Sequence, residues 1–180
     1  MGKFVKLIKA GYMEGVSEPW CNDQGVAILP FIYQYNQYWF LLIHETNPLL
    51  NGRLHQSYGT LTGGCELKKD ILTTVKDELI EETGINIKDK NNEKATIYNL
   101  GSYYANKTNI KIWHLFAIDL SDLGLNLQET YYGKGDGSIG EKGIRGVFVN
   151  EFDLDKSNDT LALAIYAKLK IENIINDNEK

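Results

Sequence analysis

The stretch GGCELKKDILTTVKDELIEETGI, from Gly63 to Ile85, combines a glycine-rich start, a helix pattern and a cluster of carboxylates. Its apolar residues recur one helical turn apart and form one stripe: Ile71, Val75 and Leu79. Asp70 precedes the stripe and is a favoured N-cap residue, and Gly84 stands where a left-handed C-cap ends a helix. We therefore predict a helix over residues 70–84 that follows a glycine loop.

Three glutamates lie close together on the predicted helix, at Glu78, Glu81 and Glu82. Spacings of three and four residues place their side chains on one side of the helix, where like charges repel. A solvated acidic face is one explanation of this cluster. A divalent-metal site is the other, because Mg²⁺ and Mn²⁺ bind carboxylate oxygens and complete their shells with water and substrate phosphate.

From Gly63 to Ile85 the sequence resembles the Nudix box, a glycine followed by x5-Glu-x7-Arg-Glu-U-x-Glu-Glu-x-Gly-U, in which U is a bulky aliphatic residue. The positions that agree in register are Gly63, Glu78, Leu79, Glu81, Glu82, Gly84 and Ile85. The resemblance implies an α/β fold, the Nudix-type α/β/α sandwich with a mixed β-sheet. A weaker resemblance covers most of the chain, and we expect residues 1–180 to form a single Nudix-type hydrolase domain with a tail frayed from about residue 176.

Two positions depart from the Nudix box. Lys69 stands where the family has Glu, and Asp77 stands where it has Arg. Those two residues pair with each other in Nudix proteins, so we predict that Lys69 and Asp77 form the same pair with reversed polarity. The alternative is that both have drifted and are exposed. A frame that starts at Gly64 places Asp70 at the glutamate position but leaves the helix one residue short.

The resemblance implies metal-dependent hydrolysis of a pyrophosphate bond in a nucleoside diphosphate linked to another moiety. Sugar nucleotides, ADP-ribose-like compounds, dinucleotides and nucleoside triphosphates all remain open as substrates. By position, Glu78, Glu81 and Glu82 are the candidate catalytic residues and the candidate ligands of Mg²⁺ or Mn²⁺. The alternative is a catalytically weakened Nudix-fold module that binds nucleotides or regulates. The reversed pair favours the module, and the retention of all three glutamates favours the enzyme.

Further candidates lie outside the helix. The glycine-rich segment 133–146 predicts a loop. Within it Glu141 is the candidate general base, ahead of Asp136, because related proteins carry a glutamate shortly before the final strand. Arg145, in the same segment, is a candidate phosphate ligand, and Glu66 is a further candidate neighbour of the metal.

The glycine loop, Gly63 and Gly64, is also predicted to contact the substrate. Several tyrosines are candidates for stacking on a base: Tyr103, Tyr104, Tyr131 and Tyr132. Among them Tyr104 is the predicted substrate contact. Two tryptophans fall within strand patterns and are predicted to lie in the core: Trp39 and Trp113. Trp20 lies in a predicted loop and is more open to a ligand or an interface.

Apolar and β-branched runs predict strands at residues 4–8, 25–33, 37–45, 95–104, 109–120 and 146–150. The short polar link QYNQ at 34–37 predicts a hairpin, and Pro30 predicts an edge or a bulge in its first strand. Residues 46–59 read as a loop, and 159–175 as a closing helix. Taken on their own, these elements indicate an α/β or α+β sandwich.

The composition is that of an ordinary globular protein, with 180 residues, 43% hydrophobic and 24% charged. A formal net charge of -5 offers no general attraction for nucleic acid, so an anionic ligand requires local cations. Cys21 and Cys65 form no disulfide framework, and no apolar run is long enough to span a bilayer. We expect a cytoplasmic protein with a small nucleotide as its partner, and the N-terminal strand is a candidate for pairing in a homodimer.

Overall fold

The structure, a computed structural model, describes residues 4–47, 55–88, 94–135, 144–157 and 159–176. These residues form ten strands and two α-helices. The strands are β1 (Lys6–Ala10), β2 (Met13–Ser17), β3 (Gln24–Gln34), β4 (Gln37–Asn47), β5 (His55–Gly59), β6 (Leu61–Gly64), β7 (Thr96–Tyr104), β8 (Ile112–Asp119), β9 (Tyr131–Tyr132) and β10 (Arg145–Asn150). The helices are α1 (Ile71–Thr83) and α2 (Thr160–Ile171). Among the described residues, no helix has the length and apolar character needed to cross a membrane.

The main sheet has eight strands, and its order is β7-β8-β3-β4-β10-β9, with β6 also pairing with β3 and β5 with β4. The central strand β3 runs parallel to β8 and antiparallel to β4 and β6, so the sheet is mixed as expected. Strands β1 and β2 form a separate antiparallel pair. Within the described ranges, this pair is joined to the rest of the protein by one isolated bridge, between Val16 and Asn109.

The helices cover opposite faces of the main sheet, because successive side chains of a strand point to opposite sides. The first core combines alternate residues of β3 with residues of α1: Val26, Ile28, Val75 and Leu79. The second core combines the intervening residues of β3 with residues of α2: Ala27, Leu29, Ile165 and Leu169. The predicted α/β/α sandwich is therefore confirmed.

Helix α1 begins and ends where the sequence predicts. The Asp70 carboxylate accepts a hydrogen bond from the Thr73 N–H at 3.1 Å, which satisfies one of the free donors of the first turn. Gly84 has a φ of 75°, and its N–H donates to the Ile80 carbonyl at 2.8 Å. The apolar stripe faces the first core, so the opposite side of α1 is free to carry the glutamates.

The hairpin between β3 and β4 is closed by Tyr35 and Asn36, whose φ values of 54° and 62° fit a two-residue turn with both central residues left-handed. The prediction that Pro30 marks an edge or a bulge is wrong, because β3 is the central strand. On one side β3 pairs with β6 as far as Ile28 and with β4 from Phe31 onward. Pro30 lies between the residues that pair with β6 and those that pair with β4. Its missing N–H therefore interrupts no hydrogen-bond ladder on that side of β3.

The prediction of a loop over residues 46–59 is wrong for the residues of this range that the structure describes. Strand β4 continues to Asn47, and β5 pairs with it from His55 to Gly59. The sequence HQSYG lacks apolar alternation, so this strand forms through main-chain pairing with β4 that the sequence pattern does not signal. Residues 48–54 lie outside the described ranges.

Candidate functional site

A cleft of about 350 Å³ opens where β3 and β8 begin and β6 ends, beside helix α1. Its lining residues are Trp20, Thr62, Gly63, Gly64, Glu66, Lys69, Glu78, Glu81, Lys111 and Trp113. Gly63 and Gly64, which the sequence predicted to form a loop, are instead the last residues of β6, and they lie in the cleft with Glu66 and two of the predicted glutamates. Trp20, Lys111 and Trp113 come from other parts of the chain.

The first glycine of the box makes room for a glutamate of α1. Gly63 pairs with Val26, so its missing side chain would point toward α1. A Cβ atom at Gly63 would overlap the carboxylate of Glu78. The half-buried Glu78 side chain therefore lies directly against β6, and any larger residue at position 63 would displace it.

The third glutamate is placed differently. Glu78 and Glu81 line the cleft, whereas Glu82 does not, and its Oε2 atom is shielded from solvent. The segment after β9 packs on this end of α1, with the Gly135 N–H donating to the Glu81 carbonyl at 2.9 Å. In the part of the chain that the structure describes, no three His, Cys, Asp or Glu side chains are arranged to hold a metal ion by themselves.

Two cleft carboxylates nevertheless fit a magnesium ion. Mg²⁺ is commonly bound by one or two protein carboxylates, with water and substrate phosphates supplying the other ligands. Glu78 and Glu81 provide such a donor set, and Glu66 adds a third carboxylate to the cleft wall. A complete cage of protein ligands is therefore not required for the metal chemistry that the sequence suggests.

The reversed ion pair predicted from the sequence is confirmed. Lys69 Nζ lies 2.8 Å from Asp77 Oδ2, with the two side chains 29% and 17% exposed. Lys88, which lies beyond the box, makes a second ion pair with Asp77 through Oδ1. Lys68 has a φ of 76°, unusual for a residue other than glycine, and this turn precedes Lys69. Asp77 thus holds the loop before α1 and the segment after it.

The lining of the cleft also contains a cation that sequence reasoning missed. The Lys111 side chain is only 6% exposed, and its Nζ lies 2.9 Å from Glu18 Oε2. The same ammonium group lies 4.4 Å from the centre of the Trp113 ring and 5.8 Å from that of Trp20. Gly25 makes this arrangement possible, because a Cβ there would approach Lys111 Cε to 2.7 Å.

The sequence predicted that Trp113 lies in the core, and the structure confirms this only in part. Its side chain packs against the second core but also lines the cleft. Trp20 also lines the cleft, and its ring occupies the space that a side chain at Gly64 would need. The turn that carries Trp20 is fixed by Asp23, whose carboxylate accepts from the Ser17 hydroxyl at 2.9 Å and from a main-chain N–H.

Other predicted site residues lie elsewhere. Tyr104 is 66% exposed and borders an apolar groove between β7, β8 and α2 rather than the cleft. Arg145 begins β10, and its Nε donates to His44 Nδ1 at 3.1 Å. Glu141 and Asp136 lie outside the described residues. The cleft as described therefore contains Gly63, Gly64, Glu78 and Glu81 from the predicted set but neither Tyr104 nor Arg145.

The cysteines near the cleft are unsuited to nucleophilic chemistry. Cys21 and Cys65 are both buried and free. Burial, and then the proximity of Cys21, raise the pKa of the Cys65 thiol above its ordinary value. A thiol with a raised pKa is protonated near neutral pH, and the thiolate is the reactive form. The chemistry of the cleft therefore rests on its carboxylates.

Comparisons with known proteins agree on the fold. No protein-family model and no curated protein sequence matches the chain. A structure from Listeria monocytogenes described as a NUDIX hydrolase has 22% identity and a TM-score of 0.53, over 83% of this chain and 94% of its own. The NUDIX domain of Shewanella oneidensis NrtR, complexed with ADP ribose, has 13% identity and a TM-score of 0.56, over 84% and 88%.

A third similar structure is the C. elegans Ap4A hydrolase. It has 15% identity and a TM-score of 0.54, over 83% of this chain and 97% of its own. At these identities the likeness concerns the arrangement of helices and strands. That arrangement, together with the motif from Gly63 to Ile85, identifies the chain as a Nudix-fold protein.

Proposed function

We propose that this protein hydrolyses a pyrophosphate bond in a nucleoside diphosphate linked to another moiety, with Mg²⁺ or Mn²⁺ as cofactor. The observation that carries the proposal is the cleft in which Glu78 and Glu81 lie beside Gly63 and Gly64. Similar folds described as complexed with ADP ribose and as an Ap4A hydrolase support a nucleotide diphosphate as the substrate class.

Glu78 and Glu81 are the proposed metal ligands of the cleft, and Glu82, one helical turn from Glu78, is the third candidate. Bound divalent cations supply charge neutralisation for a diphosphate and a nucleophile near neutral pH. The chain's own part is to place the carboxylates. Gly63 leaves space for Glu78, and Asp77, next to it in sequence, is held by two lysines.

Glu141 is the proposed general base. It precedes β10 in sequence, in the segment that follows the contact between Gly135 and Glu81. A glutamate that accepts a proton during the rate-limiting step gives an acidic limb in the pH profile of kcat/KM. Glu141→Gln should therefore lower kcat and remove that limb, while leaving the affinity for a substrate analogue unchanged.

The test of the proposal is metal-dependent turnover on a panel of sugar nucleotides, dinucleotides, ADP-ribose and nucleoside triphosphates. Glu78→Gln and Glu81→Gln should each lower kcat by at least about 100-fold, because substituting a residue that only supports a metal ligand already lowers metal affinity or activity about 10- to 100-fold. Glu129→Gln, in an exposed position away from the cleft, is the matched control and should leave kcat unchanged. Turnover that persists in EDTA, or equal rates for all three variants, would contradict the proposal.

A nucleotide-binding or regulatory module is the second candidate. The reversed polarity of the Lys69–Asp77 pair favours it, because Lys lacks the two-pronged fork with which Arg fixes a carboxylate. The same panel separates the two candidates. Saturable nucleotide binding without metal-dependent turnover on any compound would assign the protein to this second class.

A further inference from the structure

The cleft also contains an aromatic surface that the metal chemistry does not use. Trp20 is 43% exposed although its indole is among the largest side chains of the protein. It lines the same cleft as Glu78 and Glu81. A nucleotide derivative has an anionic diphosphate and an aromatic base, so a cleft that is lined by both carboxylates and an exposed indole matches both parts.

The Trp20 ring is held in place before any ligand binds. One edge of the indole lies over Gly64, and Phe4 meets the ring edge-on, with ring centres 6.0 Å apart and an interplanar angle of 79°. Asp23 closes the turn that carries the ring. Fixing an exposed side chain in advance lowers the entropy cost of binding, so this is the geometry expected of a preformed stacking surface.

Lys111 joins this surface to the rest of the cleft. Its ammonium lies near both indole rings and is paired with Glu18, which belongs to the same turn as Trp20. Because the ammonium is almost fully buried and already has a carboxylate partner, its role is to fix the turn against β8. Lys111 is in this sense a positioning residue rather than a phosphate ligand.

We propose that Trp20 is the base-binding residue of this cleft and that the Lys111–Glu18 pair positions it. The inference rests on the proposed function and adds to it the residue that holds the base. A stacking surface reads the face of a base and not its hydrogen-bonding edge. The cleft should therefore prefer purines to pyrimidines by ring area and discriminate weakly between adenine and guanine.

The test measures binding and not turnover. α,β-Methylene-ADP carries a base and cannot be hydrolysed at the bridging position, and methylenediphosphonate is its counterpart without a base. In calorimetric titrations with Mg²⁺, Trp20→Ala should weaken α,β-methylene-ADP binding roughly tenfold to one-hundredfold, the range for loss of one stacked base. Binding of methylenediphosphonate should change by less than about twofold, because no base is lost.

Two further substitutions at Trp20 separate the effect of an aromatic face from that of apolar bulk. Trp20→Phe keeps an aromatic face and should retain most of the affinity, whereas Trp20→Leu keeps apolar bulk over Gly64 without that face and should behave as Trp20→Ala does. The Leu variant carries the test if Trp20→Ala does not fold. Trp39→Phe, at the hairpin end of the sheet, is the control and should change neither affinity.

Lys111→Met tests the positioning role. It should weaken α,β-methylene-ADP and leave methylenediphosphonate unchanged, and equal loss of both ligands would instead make Lys111 a phosphate ligand. Unchanged nucleotide affinity in both Trp20→Ala and Trp20→Leu would overturn the inference while leaving the hydrolase proposal intact. If Trp20 contributes to base-dependent binding but no compound is turned over, the base-binding inference is supported and the hydrolase proposal is contradicted.

Discussion

The ion pairs of Asp77 give a prediction whose size can be worked from the structure. Asp77 is 17% exposed and contacts two lysines, Lys69 at 2.8 Å and Lys88 through its other oxygen. A partly exposed pair contributes up to about 1 kcal/mol. Asp77→Asn removes the charge that both lysines share and leaves two ammonium groups close together, so we expect a loss of about 1 to 2 kcal/mol in the free energy of unfolding. Lys69→Met removes one pair and should cost about 0.5 kcal/mol.

Reversing the pair tests whether polarity or mere pairing matters. The double variant Lys69→Glu with Asp77→Lys restores the polarity of the Nudix box, but Lys88 would then face a second ammonium group at position 77. We therefore expect the double variant to remain about 1 kcal/mol less stable than the parent. Adding Lys88→Glu should recover at least half of that loss, because the third charge then attracts.

Urea unfolding measures these differences, and the exposed pair Lys9–Glu14 supplies the control. Its side chains are 67% and 75% exposed, so Lys9→Met should change the free energy of unfolding by close to zero. A triple variant no more stable than the double variant would refute the reasoning. So would additive effects of Lys69→Met and Asp77→Asn, because contacting charges must show a coupling energy.

Three other substitutions address the box, its helix and the alkaline stability of the protein. Gly63→Ala places a methyl group against the end of the flexible Glu78 side chain, so it should cost no more than about 1 kcal/mol in thermal or urea unfolding but lower metal-dependent turnover, because the carboxylate must move. Asp70→Ala removes the N-cap of α1 and should cost about 1 kcal/mol, measured in the same way. Burial, then the hydrogen bond and charge of Glu151, raise the pKa of Tyr166 to about 12. Since a tyrosine in the unfolded chain loses its proton near pH 10, the folded form binds more protons between about pH 10 and 12, and stability falls across that window. Tyr166→Phe should flatten this fall in urea midpoints measured against pH, and an unchanged slope would contradict the assignment.

Local features of the chain were predictable from the sequence. The caps of α1 and its apolar stripe follow from spacing within one helix, and the contact between Lys69 and Asp77 follows from the resemblance of this same segment to the Nudix box. The hairpin at residues 34–37 follows from its turn residues in the same way. Each of these depends on residues only a few positions apart, which is the range over which helix and turn periodicities carry information.

The features that were missed depend on distant parts of the chain. Lys111 reaches the cleft only because β8 lies beside β3, and Pro30 is tolerated only because β3 changes partner at that point. Lys88 meets Asp77 because the chain turns back along α1 after the helix ends. The glutamates were correctly placed on one helix, but Glu82 does not line the cleft and its Oε2 atom is shielded from solvent, which helical spacing alone does not encode.

The parallel pairing of β3 with β8 also sets an order for the assembly of the cleft. Its carboxylates come mainly from α1, which adjoins β6 in sequence, whereas Lys111 and Trp113 belong to a segment that is made much later. Contacts between distant segments are slow to form because a long loop must first close. A nascent chain therefore leaves one edge of β3 unpaired until β8 has been made, and an unpaired strand edge favours aggregation.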